Sequence, residues 1–419
     1  MSCTDPRAQG WETVPLRYMC ELNPPVAFDG FDEDEDFTFL PMDRVKSGYF
    51  IPNTDKFSKY GSSYTAFEDG DIILAKVTPC FENGNIAIAD DLVGGKGFGS
   101  SELFVIRPTG AEQRFLFYYF QSSAFKQDGE ASMTGAGGLK RVSPDVLRQH
   151  RLPCPSQDIQ RLIANYLDRE TARIDGMITE KERMLALLEE KRAALISHTV
   201  TRGLDPDVQL KPSGQEWLGE IPAHWRVERA KNLFTVRDER SDDGSEELLT
   251  VSHITGVTSR SVKDVYMFEA DDKAGYKRCM PGDLAINTLW AWMGAMGISP
   301  LAGIVSPDYH VYTSKGELLP EYVDLLCRSR PFVAEVSRWS KGVWSSRLRL
   351  YPENFFEMRL PVPPRDEQHE IVRTVETEQR KANALRENLQ LSIMLAKERR
   401  AALITAAVTG QIPLKEMIG

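Results

Sequence analysis

The chain has 419 residues, of which 42% are hydrophobic and 27% charged, a composition typical of globular domains. At about 100–200 residues per domain, this length indicates two to four domains. The formal net charge of −10 argues against a protein that simply coats nucleic acid, although a local basic face remains compatible with DNA binding.

Targeting and metal-binding signals are weak throughout. The longest apolar stretches, such as Phe115–Phe120, fall far short of the roughly 20 residues that a membrane helix needs. The first ten residues are polar and predict no secretory signal. The six cysteines are far apart and form no CxxC pair, which argues against a zinc site and a disulfide framework. We therefore expect a cytoplasmic protein without a membrane segment, cofactor or metal.

The predicted first domain covers residues 1–155 and shows short apolar runs separated by turns, as in an α/β fold. Gly70-Asp71 opens one such strand over Ile72–Leu74. The segment Gly94–Gly97 lacks the spacing and the hydroxyl of a phosphate-binding GxxxxGK(S/T) loop, so we interpret it as a hairpin turn.

A single long helix is predicted over residues 156–204. Its apolar residues recur at spacings near three and four, which is typical of the narrow seam of a coiled coil. About 45 residues at about 1.5 Å each form a rod of about 68 Å, which is too long for the core of one compact domain. An ordinary core helix is the alternative. The seam consists of Ile163, Leu167, Ile174, Met177, Met184, Leu188 and Leu195.

A second copy of this arrangement follows 208 residues later. Residues 144–201 align with residues 352–409 without a gap and are identical at 18 of 58 positions. A period this long indicates two copies of a domain-sized unit. We therefore predict a linker and second domain over residues 205–364, then a second long helix and tail over 365–419. The second seam consists of Ile371, Val375, Ala382, Leu385, Leu389, Ala396 and Leu403.

The segments before each helix repeat more loosely. Gly282-Asp283 opens a strand over Leu284–Ile286, as Gly70-Asp71 does in the first half. The predicted fold is therefore two α/β (α+β) domains joined by two long antiparallel coiled-coil helices, with an internal pseudo-two-fold repeat.

Two variable domains alternating with two matched helices resemble the specificity (S) subunit of type I restriction-modification enzymes. The likeness covers nearly the whole chain and is specific in combination, since no single motif carries it. Its motifs are Thr201–Asp205 followed by Glu216–Pro222 and His224-Trp225, the helix ends Arg192–Ile196 and Arg400–Ile404, and Glu82–Asn85.

This resemblance implies a function for each part of the chain. In that family each variable domain reads one half of a split site in double-stranded DNA. The helices set the distance between the halves and dock methyltransferase (modification) subunits, which recruit motor-nuclease (restriction) subunits. The implied role is a non-catalytic scaffold that reads DNA. A specificity module of a related system with different catalytic partners is the alternative.

The rival class is an enzyme in its own right. Asn23–Val26 is close to the (Asn/Asp)-Pro-Pro-(Tyr/Phe) signature of amino-methyltransferases, but Val26 replaces the aromatic residue that stacks on a flipped base. The six histidines are scattered without an HExxH pair. A nuclease-like set of Asp145, Glu189 and Lys191 is separated by about 45 residues of chain, so we interpret it as coincidence.

Two segments have the composition of DNA-facing loops. Thr134–Gly138 is rich in glycine and precedes Lys140 and Arg141, and Ser340–Gly342 leads into a basic stretch ending at Arg349. Glycine lets the backbone approach a phosphate closely, and neighbouring basic residues supply the charge. Ordinary exposed loop charges are the alternative.

Polar and aromatic residues that follow the two Gly-Asp strands form the second group of candidates. Asn, Lys and Arg can read base edges, while phosphate contacts fix the register. Trp290 and Trp292 fit a core position equally well. The predicted DNA-binding residues are Lys76, Asn83, Asn85, Lys140, Arg141, Asn287, Trp292, Lys341, Arg347 and Arg349.

Overall fold

The computed structural model describes residues 10–27, 34–56, 64–136, 138–261, 272–342 and 348–418. The chain divides into two compact units, of which unit 1 comprises residues 1–182 and 390–419 and unit 2 comprises residues 183–389. Each unit therefore contains half of each long helix. The sequence-based boundaries at residues 155, 204 and 364 assign the helices to segments of their own and stay a prediction.

Unit 1 begins with strands and continues through short helices into the first part of the first long helix. It also contains residues 390–419, which include the end of the second long helix. Its strands are β1 (Thr13–Pro15), β2 (Cys20–Leu22), β3 (Asp36–Leu40), β4 (Thr54–Lys56), β5 (Thr65–Glu68), β6 (Ile72–Ala75), β7 (Ile86–Ile88), β8 (Lys96–Gly99), β9 (Leu103–Pro108), β10 (Thr134–Ala136), β11 (Leu139–Arg141) and β12 (Arg151–Pro153). Its helices are α1 (Gln113–Gln121), α2 (Ser123–Ala131), α3 (Pro144–Gln149) and the first part of α4 (Gln157–Arg202).

Unit 2 repeats this order. Its strands are β13 (Leu210–Pro212), β14 (Glu220–Pro222), β15 (Arg226–Arg229), β16 (Phe234–Val236), β17 (Leu249–Ser252), β18 (Gly256–Ser259), β19 (Lys277–Cys279), β20 (Leu284–Asn287), β21 (Met296–Ile298), β22 (Gly303–Val305), β23 (Tyr309–Ser314) and β24 (Arg359–Val362). Its helices are α5 (Ala230–Leu233), α6 (Pro320–Arg328), α7 (Arg330–Trp339), α8 (Pro352–Glu357) and the first part of α9 (Arg365–Val408).

An antiparallel four-stranded sheet lies at the centre of each unit. Its order is β2-β9-β6-β7 in unit 1 and β16-β23-β20-β21 in unit 2. The strands β6 and β20, which the Gly-Asp pairs open, are central and fully buried. Unit 1 has a second sheet, β4-β3-β8-β5, in which β3 and β8 are parallel. The predicted fold class and the internal repeat are confirmed.

A buried ion pair anchors the start of each central strand. The Asp71 carboxylate lies 2.8 Å from Nε of Arg107 on β9, and the Asp283 carboxylate lies 2.7 Å from Nε of Arg237 beside β16. Both aspartates are almost completely buried. Because a buried carboxylate is costly unless a charged partner compensates it, each arginine ties another part of the sheet to the start of the central strand.

A glutamine in the first turn of each long helix ties that helix to the short helices. Oε1 of Gln160 accepts a hydrogen bond from the Glu112 backbone N–H (2.8 Å), before α1. Oε1 of Gln368 accepts one from the Leu319 backbone N–H (2.7 Å), before α6. Both glutamines are buried, and their amide groups donate to the carbonyls of Pro155 and Pro363.

Within each unit the two long helices run antiparallel. In unit 1 Asp175 pairs with Arg400 and Glu182 with Lys397, so positions rise along α4 as they fall along α9. In unit 2, Ile196 and Val200 of α4 share one core with Ile371 and Val375 of α9.

The predicted seam is buried at the ends of the helices and only in part near their middle. Ile163, Leu167, Ile371 and Val375 are buried as expected, together with Ile174. Met177, Met184 and Leu385 were predicted in the seam but are exposed, while Ile178 and Ile393 are buried. Near the middle each helix buries only a narrow stripe, whereas near its end it also packs on the core of its unit.

Within the described residues, no helix has an apolar stretch long enough to cross a membrane.

Candidate nucleic-acid interface

The structure joins two predicted DNA-facing segments of unit 1 into one surface. Strands β10 and β11 form a hairpin, and the loop 76–85 follows the central strand β6. Thr78 connects them: its hydroxyl donates to the Gly138 carbonyl (2.9 Å) and accepts from the Lys140 backbone N–H (2.9 Å). The Thr78 backbone N–H donates to the Lys140 carbonyl (3.0 Å), so the loop and the hairpin are held side by side.

The predicted residues of loop 76–85 differ in exposure. Asn83 is exposed, whereas Lys76 and Asn85 are partly buried. The Lys76 ammonium lies 5.6 Å from the centroid of the Phe104 ring, in the geometry of a cation–π contact. The Asn85 backbone bonds to Cys80 and Ala75, which closes the loop. Asn83 is therefore the one of these three whose whole side chain is available to a ligand.

The hairpin exposes Lys140 and Arg141 together. The Arg141 guanidinium forms a bidentate pair with Glu102, in the turn before β9: Nη2 lies 2.6 Å from Oε1 and Nε lies 2.9 Å from Oε2. The arginine side chain is 50% exposed and the glutamate 26%. The paired guanidinium holds the pKa of the Glu102 carboxyl below its usual value. Glu102 is not among the predicted residues.

Unit 2 places Arg349, the counterpart of Arg141 under the repeat, at the base of a loop. Lys341 and Arg349 face each other and exchange two backbone hydrogen bonds of 2.9 Å, closing the base of a loop. The next residue, Leu350, donates its N–H to the Thr288 carbonyl after β20, as Val142 donates to the Lys76 carbonyl in unit 1. Arg347 lies outside the described residues.

Asn287 is the predicted residue that the structure places inside the domain. It is only 6% exposed, at the end of β20. Its amide donates to the Tyr309 hydroxyl (2.9 Å) and contacts the Val251 carbonyl (3.4 Å). Burial raises the pKa of Tyr309, so its hydroxyl stays protonated. In this structure Asn287 thus supports the loop behind it and presents no surface to DNA.

The two tryptophans after β20 stack on each other and differ in exposure. Their ring centroids are 6.3 Å apart with planes inclined by 22°. Trp292 is partly buried, and its indole N–H donates to the Leu289 carbonyl (3.0 Å). Trp290 is 49% exposed and does not belong to the predicted set. The Trp292 indole is bonded to the loop backbone and partly buried, so Trp290 is the aromatic side chain of this stack that is accessible to a ligand.

Asn23, which opens the methyltransferase-like motif, has a role in the fold. Its Oδ1 accepts a hydrogen bond from the Val105 backbone N–H (2.9 Å), and its own N–H donates to the Val105 carbonyl (2.7 Å). Its φ of 49° marks a tight turn at the end of β2. The interpretation of this motif as a turn agrees with these contacts.

Two residues of the interface have no signal in the sequence. Thr78 and Glu102 lie about 40–60 positions from the residues they bind, and neither belongs to a motif. For metal binding, the described ranges contain no group of three or more His, Cys, Asp or Glu side chains that could hold an ion.

Comparison with known proteins gives one consistent result. A family profile described as "Type I restriction modification DNA specificity domain" matches residues 8–183. The type I restriction enzyme EcoAI and EcoEI specificity subunits of Escherichia coli are each 34% identical to this chain, over 163 and 160 residues. These matches cover 38% and 37% of this chain and 27% of each relative, so the chain spans about a quarter of the length of those relatives.

A solved structure shares the fold of the whole chain. It comes from work described as the structural basis of complex assembly and conformational transition of the type I R-M system. It covers 96% of this chain and 99% of its own, with a TM-score of 0.72 and 18% sequence identity. The profile match falls within unit 1 apart from its last residue. The relatives found by sequence are also specificity subunits of type I restriction enzymes. Residues 8–183 therefore match the type I restriction modification DNA specificity domain, and the whole chain is similar in fold to a solved structure from a type I R-M system.

Proposed function

We propose that this chain reads a bipartite site in double-stranded DNA, with one half-site recognised by each unit. The observation that carries the proposal is the repeated surface: in both units, a loop after the central strand is hydrogen-bonded to a basic loop or hairpin. Exposed Lys and Arg side chains supply phosphate contacts, and Asn or Arg can read base edges in the major groove. The contact residues we propose are Asn83, Lys140, Arg141, Trp290, Lys341 and Arg349, with Lys76, Asn85, Asn287 and Trp292 supporting the loops.

We further propose that the long helices bind methyltransferase subunits and that motor-nuclease subunits join through them. Apolar side chains of these helices are uncovered in each unit. Exposed apolar side chains close together on one element mark an interaction surface. In unit 2 they are Met184, Leu187 and Leu385, and in unit 1 they are Met177, Leu391, Met394 and Leu395.

The proposed role is recognition without catalysis. The methyltransferase-like motif forms a turn whose asparagine bonds to the neighbouring strand, and Val26 stands where that signature has its aromatic residue. We expect the purified chain to methylate and cleave no DNA by itself. Methyl transfer by the pure chain, surviving removal of trace partner protein, would contradict this part of the proposal.

A half-site experiment tests DNA reading directly. The methylated sequence is first determined by profiling host DNA, and binding is then measured with duplexes in which one half-site or the other is scrambled. We expect Lys140→Ala/Arg141→Ala to weaken binding through one half-site only, and Lys341→Ala/Arg349→Ala through the other. Removing one phosphate contact should lower the salt slope by about one unit, whereas removing a base contact should relax the sequence preference at one position.

Matched controls separate this effect from the general charge of the protein. Arg161 on α4 and Lys211 on β13 are exposed basic residues away from the two loops. We expect Arg161→Ala and Lys211→Ala to leave the half-site preference unchanged. Equal reductions in affinity from control and loop variants, or none from either loop variant, would contradict the proposed interface.

A further inference from the structure

The two equivalent arginines of the proposed interface differ in their partners. Arg141 is held by the Glu102 carboxylate through hydrogen bonds from Nε and Nη2. Among the described residues, the Arg349 guanidinium has no carboxylate within ion-pair distance. Under the repeat the position of Glu102 corresponds to Asp308, whose backbone carbonyl accepts the Thr288 hydroxyl.

The Glu102–Arg141 pair has the geometry that a phosphate would otherwise take. A guanidinium presents two parallel N–H groups that fit a carboxylate and a phosphate equally well. The pair lies on the surface, where its worth to folding is small, since exposed ion pairs contribute little to stability. Glu102 also adds a negative charge next to Lys76, whose backbone N–H donates to the Glu102 carbonyl (3.0 Å), on a surface proposed to meet a polyanion.

We propose that Glu102 is a specificity-determining residue of unit 1, because its carboxylate withholds Arg141 from the phosphates of non-cognate DNA. This inference rests on the proposed function. A phosphate that binds Arg141 must first displace Glu102, and the freed carboxylate then faces the DNA backbone at close range. On non-cognate DNA a phosphate simply replaces the Glu102 carboxylate as the partner of Arg141, so the exchange contributes almost nothing to the free energy of binding. A cognate half-site adds base contacts that are absent elsewhere, and these drive the exchange.

The change that tests this inference is Glu102→Gln, which keeps the shape of the side chain and removes its charge. With Arg141 released, one more phosphate contact becomes available on any sequence. We expect the variant, assembled with its methyltransferase subunits, to bind scrambled duplex more tightly at low salt, with a salt slope steeper by about one unit. Between 50 and 200 mM salt its affinity should then fall by about three to four times more than that of the wild type. The ratio of cognate to scrambled affinity should fall.

Two further variants decide whether Arg141 carries the effect. In Glu102→Gln/Arg141→Ala the gain on scrambled duplex should disappear, because no guanidinium is released. Asp308→Asn removes the same charge from the equivalent turn of unit 2, where the described residues place no arginine against the carboxylate, and should leave the salt slope unchanged. Thermal unfolding of each variant confirms that it is folded before binding is measured.

Each result has one meaning. A Glu102→Gln variant that binds scrambled duplex as the wild type does would overturn the inference. A gain of the same size in the double variant, or in Asp308→Asn, would also overturn it by showing a general charge effect. If the wild-type complex binds cognate and scrambled duplexes equally, the proposed function itself fails. That failure is visible before any variant is compared.

Discussion

At the scale of single residues, the glutamines in the first turn of the long helices support the fold through buried hydrogen bonds. Gln160 joins the Glu112 N–H to the Pro155 carbonyl from a buried position, and Gln368 makes the same two kinds of bond in unit 2. A backbone group left unpaired in a protein interior costs about 1–3 kcal/mol. We expect Gln160→Ala and Gln368→Ala each to lower the free energy of unfolding by about this amount, measured by denaturant titration.

A neighbouring glutamine provides the control for this prediction. Gln157, in the same first turn of α4, is exposed. Gln157→Ala should change the free energy of unfolding by no more than about 0.5 kcal/mol. If all three substitutions cost the same, the buried hydrogen bonds of Gln160 and Gln368 contribute nothing of their own.

His310 makes the stability of the folded protein depend on pH. Burial lowers the pKa of His310 on β23, and Lys277, whose Nζ lies 3.5 Å from its Nδ1, lowers it further. Glu353, Asp238 and Asp308 also face this histidine and act in the opposite direction. The unfolded chain, with an ordinary histidine pKa near 6.5, therefore binds this proton more readily than the folded protein does. The stability contributed by His310 is present above about pH 6.5 and is lost as the pH falls below it.

The substitution His310→Gln removes this titration. We expect stability to decline less between about pH 7.5 and 5.5 in His310→Gln than in the wild type, as followed by thermal unfolding at several pH values. His253→Gln, at an exposed histidine of the same unit, is the matched substitution against which this change is compared. Parallel curves for the wild type and His310→Gln would contradict the prediction.

Residue type and position in the sequence predicted where the candidate site would be, but not how each side chain would be used. The Gly-Asp pairs and glycine-rich stretches located both loops of unit 1, and the 208-residue shift related Arg141 to Arg349. Whether Asn287 is buried depends on Tyr309 and Val251, which come from other strands. The Glu102–Arg141 pair joins positions 39 apart. Tertiary packing decides both the burial of Asn287 and the pairing of Glu102 with Arg141, and the periodicity of the sequence carries no information about tertiary packing.

At the scale of elements, one glycine inside the first long helix and one just after its end differ in whether the structure requires glycine there. Gly203 follows the end of α4 with a φ of +76°, and a Cβ there would lie 2.7 Å from Oε1 of Glu367. That glutamate accepts the Trp225 indole N–H at 2.9 Å. Gly176 lies inside α4, and a Cβ there would have open space around it. The first glycine is required by backbone conformation and close contact, whereas the second only adds flexibility.

This difference predicts effects of opposite sign. Gly203→Ala should destabilise the protein by about 1–2 kcal/mol from the left-handed backbone alone, with more from displacing Glu367. Gly176→Ala should stabilise it by about 0.5–1 kcal/mol, because alanine loses less backbone entropy in a helix. Both are measured by denaturant titration. Two changes of the same sign would contradict the roles assigned to these glycines.

The helices also show what a sequence pattern can resolve. Their existence, length and antiparallel course within each unit follow from the absence of proline and from apolar spacing. The buried stripe was misplaced near the middle, where Met177 and Met184 are exposed and Ile178 is buried. Apolar type alone cannot distinguish a side chain that packs inside the chain from one left for a partner. The exposed methionines and leucines are the positions at which our docking proposal can be tested.

At the scale of the whole molecule, repetition is the feature that the sequence conveys best. The identical positions lie at the joints: the strand before each long helix, the glutamine in its first turn and its Arg-Ala-Ala-Leu-Ile end. The variable segments differ in sequence yet form central sheets with the same strand order. The framework residues are therefore repeated within the chain, whereas the two variable domains, which we propose to read DNA, differ in sequence.

The last prediction concerns the two helices that continue from one unit into the other. The units divide between residues 182 and 183 of α4 and between 389 and 390 of α9. Inserting four helix-forming residues at both points leaves each unit's own sequence intact and lengthens each helix by about 6 Å. If the helices set the distance between half-sites, the preferred spacer should grow by one or two base pairs, because DNA rises about 3.4 Å per base pair. The half-site sequences should not change.

Selection from duplexes with randomised spacer lengths measures this effect in the assembled complex. Four residues come close to one helical turn and nearly restore the phase of the apolar stripe, whereas two residues rotate it by about half a turn. The two-residue insertion should therefore unfold the helix pair, visible as a lower melting temperature, and abolish the spacer preference altogether. A folded four-residue variant that keeps the original spacer would show that the helices connect the recognition units without measuring the distance between half-sites.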